Sequence, residues 1–268
     1  MKIVAYNMRA GSEPHWSAVR AAFNPDVVLA QESLAPTRGA HALGTSFWSA
    51  VPRTRTGWGS AIAITSGRAT RVDVPEFEGW VVAADVTTPG DGVLRIVSVH
   101  VPSGRGPYVS VAGRILDRLA ELPRPTEFLI GGDFNLTVAR RQPNEGRKNS
   151  RSELALLERL EHEFDVLPAW EIAHPGRPLP QTLRWTGNAS EPYHCDGVFV
   201  PANWSRSVIN VEVVSGGEWD RLSDHNPVVV RLDGSQGLEL ATPRNEPESG
   251  RGCMTPCAAR VEKPRTLS

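Results

Sequence analysis

Asp133 and Asn135 stand two residues apart in Gly131-Gly132-Asp133-Phe134-Asn135-Leu136, directly after the apolar run Phe128-Leu129-Ile130. In extended backbone, residues two apart share a face. A carboxylate that only accepts and an amide that both donates and accepts would then leave a strand end side by side. That pair suits holding a water and an anionic oxygen at once. The two glycines permit a sharp turn or a close approach of backbone to another group. The same residues are also good turn chemistry, so their meaning depends on what else the chain brings beside them.

The elements that would position them can be read from pattern. Ile3 to Asn7 reads as a strand ending on Asn7, and Asp26 to Gln31 as a buried strand followed at once by Glu32. A carboxylate there is costly unless it is paired or binds a metal. Ser60–Thr65, Trp80–Thr87 and Leu94–His100 read as sequential strands with antiparallel pairing, the last two joined by a turn at Pro89-Gly90-Asp91-Gly92. His100 closes the third. Cys195–Val200, Val208–Val214 and Val228–Leu232 complete the set, with Asp196 in the first and Asp224-His225 in the loop before the last. Helices are expected from Pro14 to Phe23, from Val109 to Leu122, and after the capping-box pair Ser150 and Glu153. Residues 33–58 read as loop-rich, with Arg38, Arg53, Arg55, Trp48 and Trp58 forming either a substrate rim or a solvated hairpin. A Pro-rich loop over 175–192 offers Thr182 and Trp185 as rim contacts. Residues 234–268 have no amphipathic period and read as a disordered tail, which leaves one domain over residues 1–233.

The totals exclude several classes. A formal net charge of -1 provides no global basic field, although a local basic groove remains open. Cys195, Cys253 and Cys257 do not make a disulfide framework, and a reducing, cytoplasmic compartment is expected. No run of about 18 apolar residues marks a membrane span, and the N-terminus enters a strand pattern without the apolar core of a signal peptide.

Asn7, Glu32, His100, Asp133, Asn135, Asp196 and Asp224-His225 thus all sit at or near strand ends, which points to one cleft at one edge of a central sheet pair. Tyr6-Asn7, Gln31-Glu32, Ser98-Val99-His100, Gly132-Asp133-Phe134-Asn135, Cys195-Asp196-Gly197-Val198-Phe199 and Ser223-Asp224-His225-Asn226-Pro227-Val228 occur in this order. With them the chain resembles the endonuclease/exonuclease/phosphatase superfamily, the deoxyribonuclease-like fold, over residues 1 to about 232. The resemblance implies a four-layered α/β sandwich, two mixed β-sheets packed face to face and covered by helices. It also implies a metal-dependent phosphoesterase.

The residue chemistry agrees. Asn7, Glu32 and Asp224 offer hard oxygen ligands that suit Mg²⁺ or Mn²⁺. Asp133 would orient and deprotonate the attacking water, and Asn135 would hold that water and a phosphate oxygen. His225 would donate to a phosphoryl oxygen, with Asp196 fixing its tautomer. His100 would be a second phosphate contact or a general acid. Plainer roles exist for each: Asp196 as the ion-pair partner of an arginine, His100 as a satisfied core histidine, Glu32 as a backbone cap, and His194 as a structural neighbour.

Within the superfamily, abasic-site endonucleases usually carry tyrosine at the position of His100 and Asn-x-x-Gly-x-Arg where this chain has Asn7-Met8-Arg9-Ala10-Gly11. Both departures point away from abasic-site repair. Three functions stay open: a phosphodiesterase acting on nucleic acid, a phosphatase or phosphodiesterase acting on a small or lipid-linked phosphate, and a non-catalytic binding protein.

Overall fold

Continuous apolar runs form the inner strands because each is covered on both faces. The computed structural model describes residues 1–36, 38–88, 91–185 and 193–234. Pro89 and Gly90 of the expected turn, and the tail from residue 235 onward, lie outside these residues.

In chain order the elements are β1 (Lys2–Gly11), α1 (Glu13–Phe23), β2 (Val27–Ser33), α2 (Arg38–His41), β3 (Thr45–Ala50), β4 (Gly59–Ile64), β5 (Ala69–Val72), β6 (Val81–Thr87) and β7 (Val93–His100). There follow α3 (Tyr108–Glu121), β8 (Glu127–Asp133), α4 (Arg151–Phe164), β9 (Val166–Pro168), α5 (Ala169–Ala173), β10 (Asp196–Pro201), β11 (Val208–Val213), α6 (Trp219–Leu222) and β12 (Val228–Leu232). They build two six-stranded sheets, ordered β11-β12-β1-β2-β4-β3 and β5-β6-β7-β8-β10-β9. Each sheet is mixed. β1 and β2 are parallel across the α1 crossover, β7 and β8 are parallel across α3, and the other pairs are antiparallel.

Alternation along the strands sorts the core into three layers. Ile3, Ala5, Val27, Leu29 and Ile62 face Val82, Ala84, Ile96, Leu129 and Val198 between the sheets. Val4, Tyr6, Val28 and Ala30 point the other way, onto Trp16, Val19 and Phe23 of α1. Val97, Val99 and Ile130 pack beneath Val111, Ile115 and Leu119 of α3 and Leu156 and Leu160 of α4. The four-layered α/β sandwich with two packed mixed sheets is therefore observed. No helix of the described residues is long and apolar enough to cross a membrane.

The structure corrects the sequence reading in two places. The expected sequential pairing holds for β6 with β7, but β4 belongs to the other sheet, between β2 and β3. The stretch 33–58 holds α2 and β3, and β3–β4 is a hairpin whose tip carries the exposed Arg53 and Arg55. β3 is an edge strand with only one buried residue, Ser49, so its apolar signal is weak. The capping box of α4 is present: Ser150 Oγ accepts the Glu153 N–H at 3.1 Å, and Glu153 Oε2 accepts the Ser150 N–H at 2.6 Å.

Gly132 next to Asp133 is obligatory. Gly132 has φ +139°, and a Cβ there would stand 2.0 Å from the Val99 carbonyl oxygen of β7. Gly113, within α3, meets nothing within 4 Å. Gly132→Ala is expected to lose about 2 kcal/mol or more in denaturant melts through strain and displacement of β7. Gly113→Ala should be neutral or gain about 0.5–1 kcal/mol through helix propensity. Equal effects of the two substitutions would contradict this reading of the β7–β8 contact.

Candidate active site

Sheet register brings three of the expected residues into one lateral row. His100 pairs with Asp133 across β7–β8, and Asp133 pairs with Asp196 across β8–β10. Residues opposite one another in neighbouring strands present side chains to the same face, so a carboxylate stands between a histidine and a second carboxylate. All three are buried.

The other sheet supplies Asn7 and Glu32. The β1–β2 register holds from Ile3 to Asn7 and shifts before Gly11, and the β2–β4 register shifts between Ala30 and Ser33. Such irregularities bend a strand and re-aim its side chains. Arg9, Ala10 and Glu32 have φ of 48°, 61° and 48°, left-handed values that are costly for residues with a Cβ. Glu32 is thereby turned toward Asn7, whose Nδ2 donates to Glu32 Oε1 at 3.2 Å and to Asp133 Oδ2 at 2.9 Å. The second of these bonds joins the two sheets.

His225 arrives from the loop between α6 and β12. Its Nδ1 lies 3.0 and 2.9 Å from the two carboxylate oxygens of Asp196, and its Nε2 lies 3.8 Å from Asp133 Oδ2. Asp196 is thus the partner of a histidine and not of an arginine. Burial opposes charge on His225, but the Asp196 and Asp133 carboxylates outweigh it and lift the imidazole to about 10. Asp224 lies in the same loop, 3.7 Å from the exposed Arg9 guanidinium.

His100 is the opposite case. It is packed against Trp58 and Trp80, with ring centroids 5.4 and 5.1 Å away. Burial lowers it to about 4 despite Asp133. A neutral imidazole at physiological pH argues against the general-acid alternative. Its Nε2 stands 3.8 Å from both Glu32 Oε1 and Asp133 Oδ2.

Two expectations change. Asn135 does not continue an extended strand: β8 ends at Asp133, and Asn135 has φ 53°. Asp133 Oδ1 accepts the Asn135 N–H at 2.9 Å, and the Asn135 amide donates to the Val101 carbonyl at 2.9 Å. The stretch is therefore a turn, and the expected side-by-side placement of Asp133 and Asn135 on an extended strand is not what the structure has. Thr182 is no rim contact but fully buried. Its Oγ1 accepts the N–H groups of Cys195 and Asp196 at 3.0 and 3.1 Å, and its carbonyl accepts the Asn226 N–H at 2.7 Å. One residue therefore ties the Asp196 strand to the His225 loop. Arg184 reinforces that loop, donating to the Ser223 carbonyl at 2.5 Å and to Asn226 Oδ1. His194 is structural, its Nδ1 2.9 Å from the Pro180 carbonyl.

Sequence reasoning missed Trp80, although a signal was there. The antiparallel register of β6 with β7 pairs residues whose numbers sum to 180, as in Val81 with Val99. Trp80 thereby falls opposite His100, whose N–H it accepts at 2.8 Å. Thr182 and Arg184 carry no local signal, because their partners are distant in sequence.

Next to the centre opens a cavity of about 830 Å³. Asn135 and Cys195 form its inner wall, and Tyr108, Tyr193, Trp185 and Arg147 its outer one. Trp185 is 51% exposed and meets the Tyr193 ring edge-on at 6.0 Å, and Arg147 lies over that ring at 5.5 Å. Trp58 and Trp80 pack against His100, and the guanidinium of the exposed Arg105 lies 5.8 Å from the Trp80 ring. Trp48 stays away from the centre and donates to the Ser33 carbonyl.

Two outcomes check this geometry. In imidazole NMR titrations His225 should ionise well above 6.5 and fall toward it in Asp196→Asn. The charged form is the one stabilised, so this contribution to stability is complete below about 6.5 and is lost as pH rises through about 10. Titration of His225 near 6.5 in the unmodified protein would contradict the pairing. Thr182→Val should lower turnover by about tenfold or more by freeing two buried N–H groups, and Thr182→Ser should restore it. Equal behaviour of Val and Ser would remove the hydroxyl from the argument.

A comparison with curated proteins finds no match. Among solved structures, a 3'-5' exonuclease from Neisseria meningitidis is 21% identical with a TM-score of 0.65, over 87% of this chain and 100% of that one. An AP endonuclease from Archaeoglobus fulgidus is 17% identical with a TM-score of 0.65, over 87% and 99%. The endonuclease domain of TRAS1, a telomere-specific non-LTR retrotransposon, is 14% identical with a TM-score of 0.60, over 87% and 97%. At these identities the likeness shows the fold. The profile of the endonuclease/exonuclease/phosphatase family matches residues 4–225, and the chain belongs to that family.

Proposed function

We propose that this protein is a Mg²⁺- or Mn²⁺-dependent phosphodiesterase that hydrolyses nucleic acid by activated water. The observation that carries the reading is the row His100–Asp133–Asp196, closed by His225 from the loop before β12. Asp133 accepts the proton of the attacking water. The Asn135 turn fixes that carboxylate through its own N–H. His225 stays charged at neutral pH and donates to a phosphoryl oxygen, while Asp196 holds its ring. Neutral His100 supplies a second hydrogen bond to the phosphate.

The donor set fits a hard divalent ion. Glu32 is pushed up by burial and by the neighbouring Asp133 and Asp224 charges, with the Asn7 hydrogen bond opposing, a strain that a cation relieves. Asp224 and Glu32 would hold the ion. Asn7 would join them through the lone pair its oxygen keeps while accepting the Arg9 N–H at 3.0 Å, with its Nδ2 still donating to Asp133. When bound, the ion offsets the negative charge that develops on the phosphoryl oxygens.

Arg147 over Tyr193 at the cavity and Arg105 over Trp80 beside His100 support a nucleic acid, because bases stack on rings and phosphates pair with guanidinium. The solved relatives include an exonuclease and an AP endonuclease. The cavity beside Asn135 favours a second reading, a small phosphate ester held whole, since its volume is that of a small-molecule site.

An activity screen separates the two. Single- and double-stranded DNA, RNA and small phosphate esters are compared with and without EDTA. Polymer cleavage abolished by EDTA and lowered about 10²–10⁴-fold by Asp133→Ala or His225→Ala is expected. Cleavage of small esters alone would select the second reading. Activity that survives EDTA would overturn the metal.

A further inference from the structure

Cys195 has no part in the chemistry proposed above, yet its sulfur is built into the centre. Its S–H points to Asp196 Oδ2 at 3.5 Å, the same oxygen that lies 2.9 Å from His225 Nδ1. Ligand atoms from Asp133, Cys195, Asp196 and His225 all lie within 4.8 Å of one another, and all four residues are buried. Burial and the Asp196 charge keep the thiol protonated. One oxygen thus collects two protons, one from sulfur and one from nitrogen.

We propose that these four residues form a second metal site, selective for a soft divalent ion such as Zn²⁺ or Cd²⁺, whose occupancy shuts the catalytic centre. One sulfur, one nitrogen and two carboxylates are a tetrahedral zinc set, with bonds of roughly 2.0–2.3 Å that place neighbouring ligands roughly 3.5 Å apart. The Sγ–Oδ2 and Nδ1–Oδ2 separations are near that already, and the widest pair closes by about an ångström. Binding releases the thiol proton and the proton on the ligating imidazole nitrogen, leaving a thiolate and a neutral ring. Mg²⁺ does not compete here, because it binds thiolate poorly.

The surroundings suit a site. Thr182 Oγ1 holds the backbone N–H groups of Cys195 and Asp196 and lies 4.0 Å from the sulfur, so the two adjacent ligands are fixed from behind. Cys195 lines the open cavity beside Asn135, which connects the site to solvent. The hard donors Asn7, Glu32 and Asp224 are a separate set. An ion on the soft set withdraws Asp133 and His225 from the substrate, a consequence that rests on the function proposed above, whereas the binding itself does not.

The test uses the full chain with Cys253→Ser and Cys257→Ser, so that Cys195 is the remaining thiol. Cd²⁺ is the probe, read by its thiolate charge-transfer absorbance and by ¹¹³Cd NMR. One equivalent should give the charge-transfer band and a sulfur-type shift, and Cys195→Ser should abolish both. Zn²⁺ should inhibit the Mg²⁺-supported reaction, and Cys195→Ser should weaken that inhibition at least about tenfold relative to its own basal rate. An oxygen-type cadmium shift, or no bound cadmium, overturns the site even if Cys195→Ser fails to fold. Zinc inhibition unchanged in Cys195→Ser overturns it as well. A normal cadmium signal in a protein without phosphoesterase activity would leave this site standing and remove the proposed function.

Discussion

The hydrogen bond from Asn7 Nδ2 to Asp133 Oδ2 joins β1, where its register with β2 breaks, to the end of β8 in the other sheet at 2.9 Å. Each residue is placed by its own sheet, and the packing of the two sheets is what brings them into contact. Asp133 is the end of β8, held between His100 and Asp196 by register. Asn7 is the last residue of β1 before the pairing with β2 loses register. Face-to-face packing of Ile3, Ala5 and Leu29 against Ile96, Leu129 and Val198 brings these two residues together. The apolar core between the sheets is therefore what sets the polar geometry at their edge, and the hydrogen bond records how closely the two match.

Electrostatics then divides the two histidines into separate roles. Both contact Asp133 at 3.8 Å. His225 faces a second carboxylate and is held charged; His100 faces two tryptophans and is held neutral. Environment, not residue type, assigns a cation to one side of the carboxylate and an uncharged donor to the other.

Much of the fold was legible because buried strands and amphipathic helices leave strong local patterns. The inner strands and α1, α3 and α4 were read nearly in place, and the polar residues at strand ends gave the edge where the site lies. What escaped depends on distant partners. β3 and β5 are edge strands with little buried surface. The sheet assignment of β4 is decided by packing, which its own residues do not encode. The left-handed turns at Glu32 and Asn135 redirect side chains that an extended backbone would have pointed elsewhere. Thr182 looked like a loop residue because its hydroxyl serves backbone groups more than ten residues away.

The central claim is that Asn7 and Asp133 work as one unit across the sheet interface. A double-mutant cycle on single-turnover phosphodiester cleavage, using Asn7→Ala, Asp133→Asn and the pair, measures it most directly. The account predicts strong non-additivity, with the pair losing little more than Asp133→Asn alone. Additive losses would mean that the two residues act independently and would contradict it.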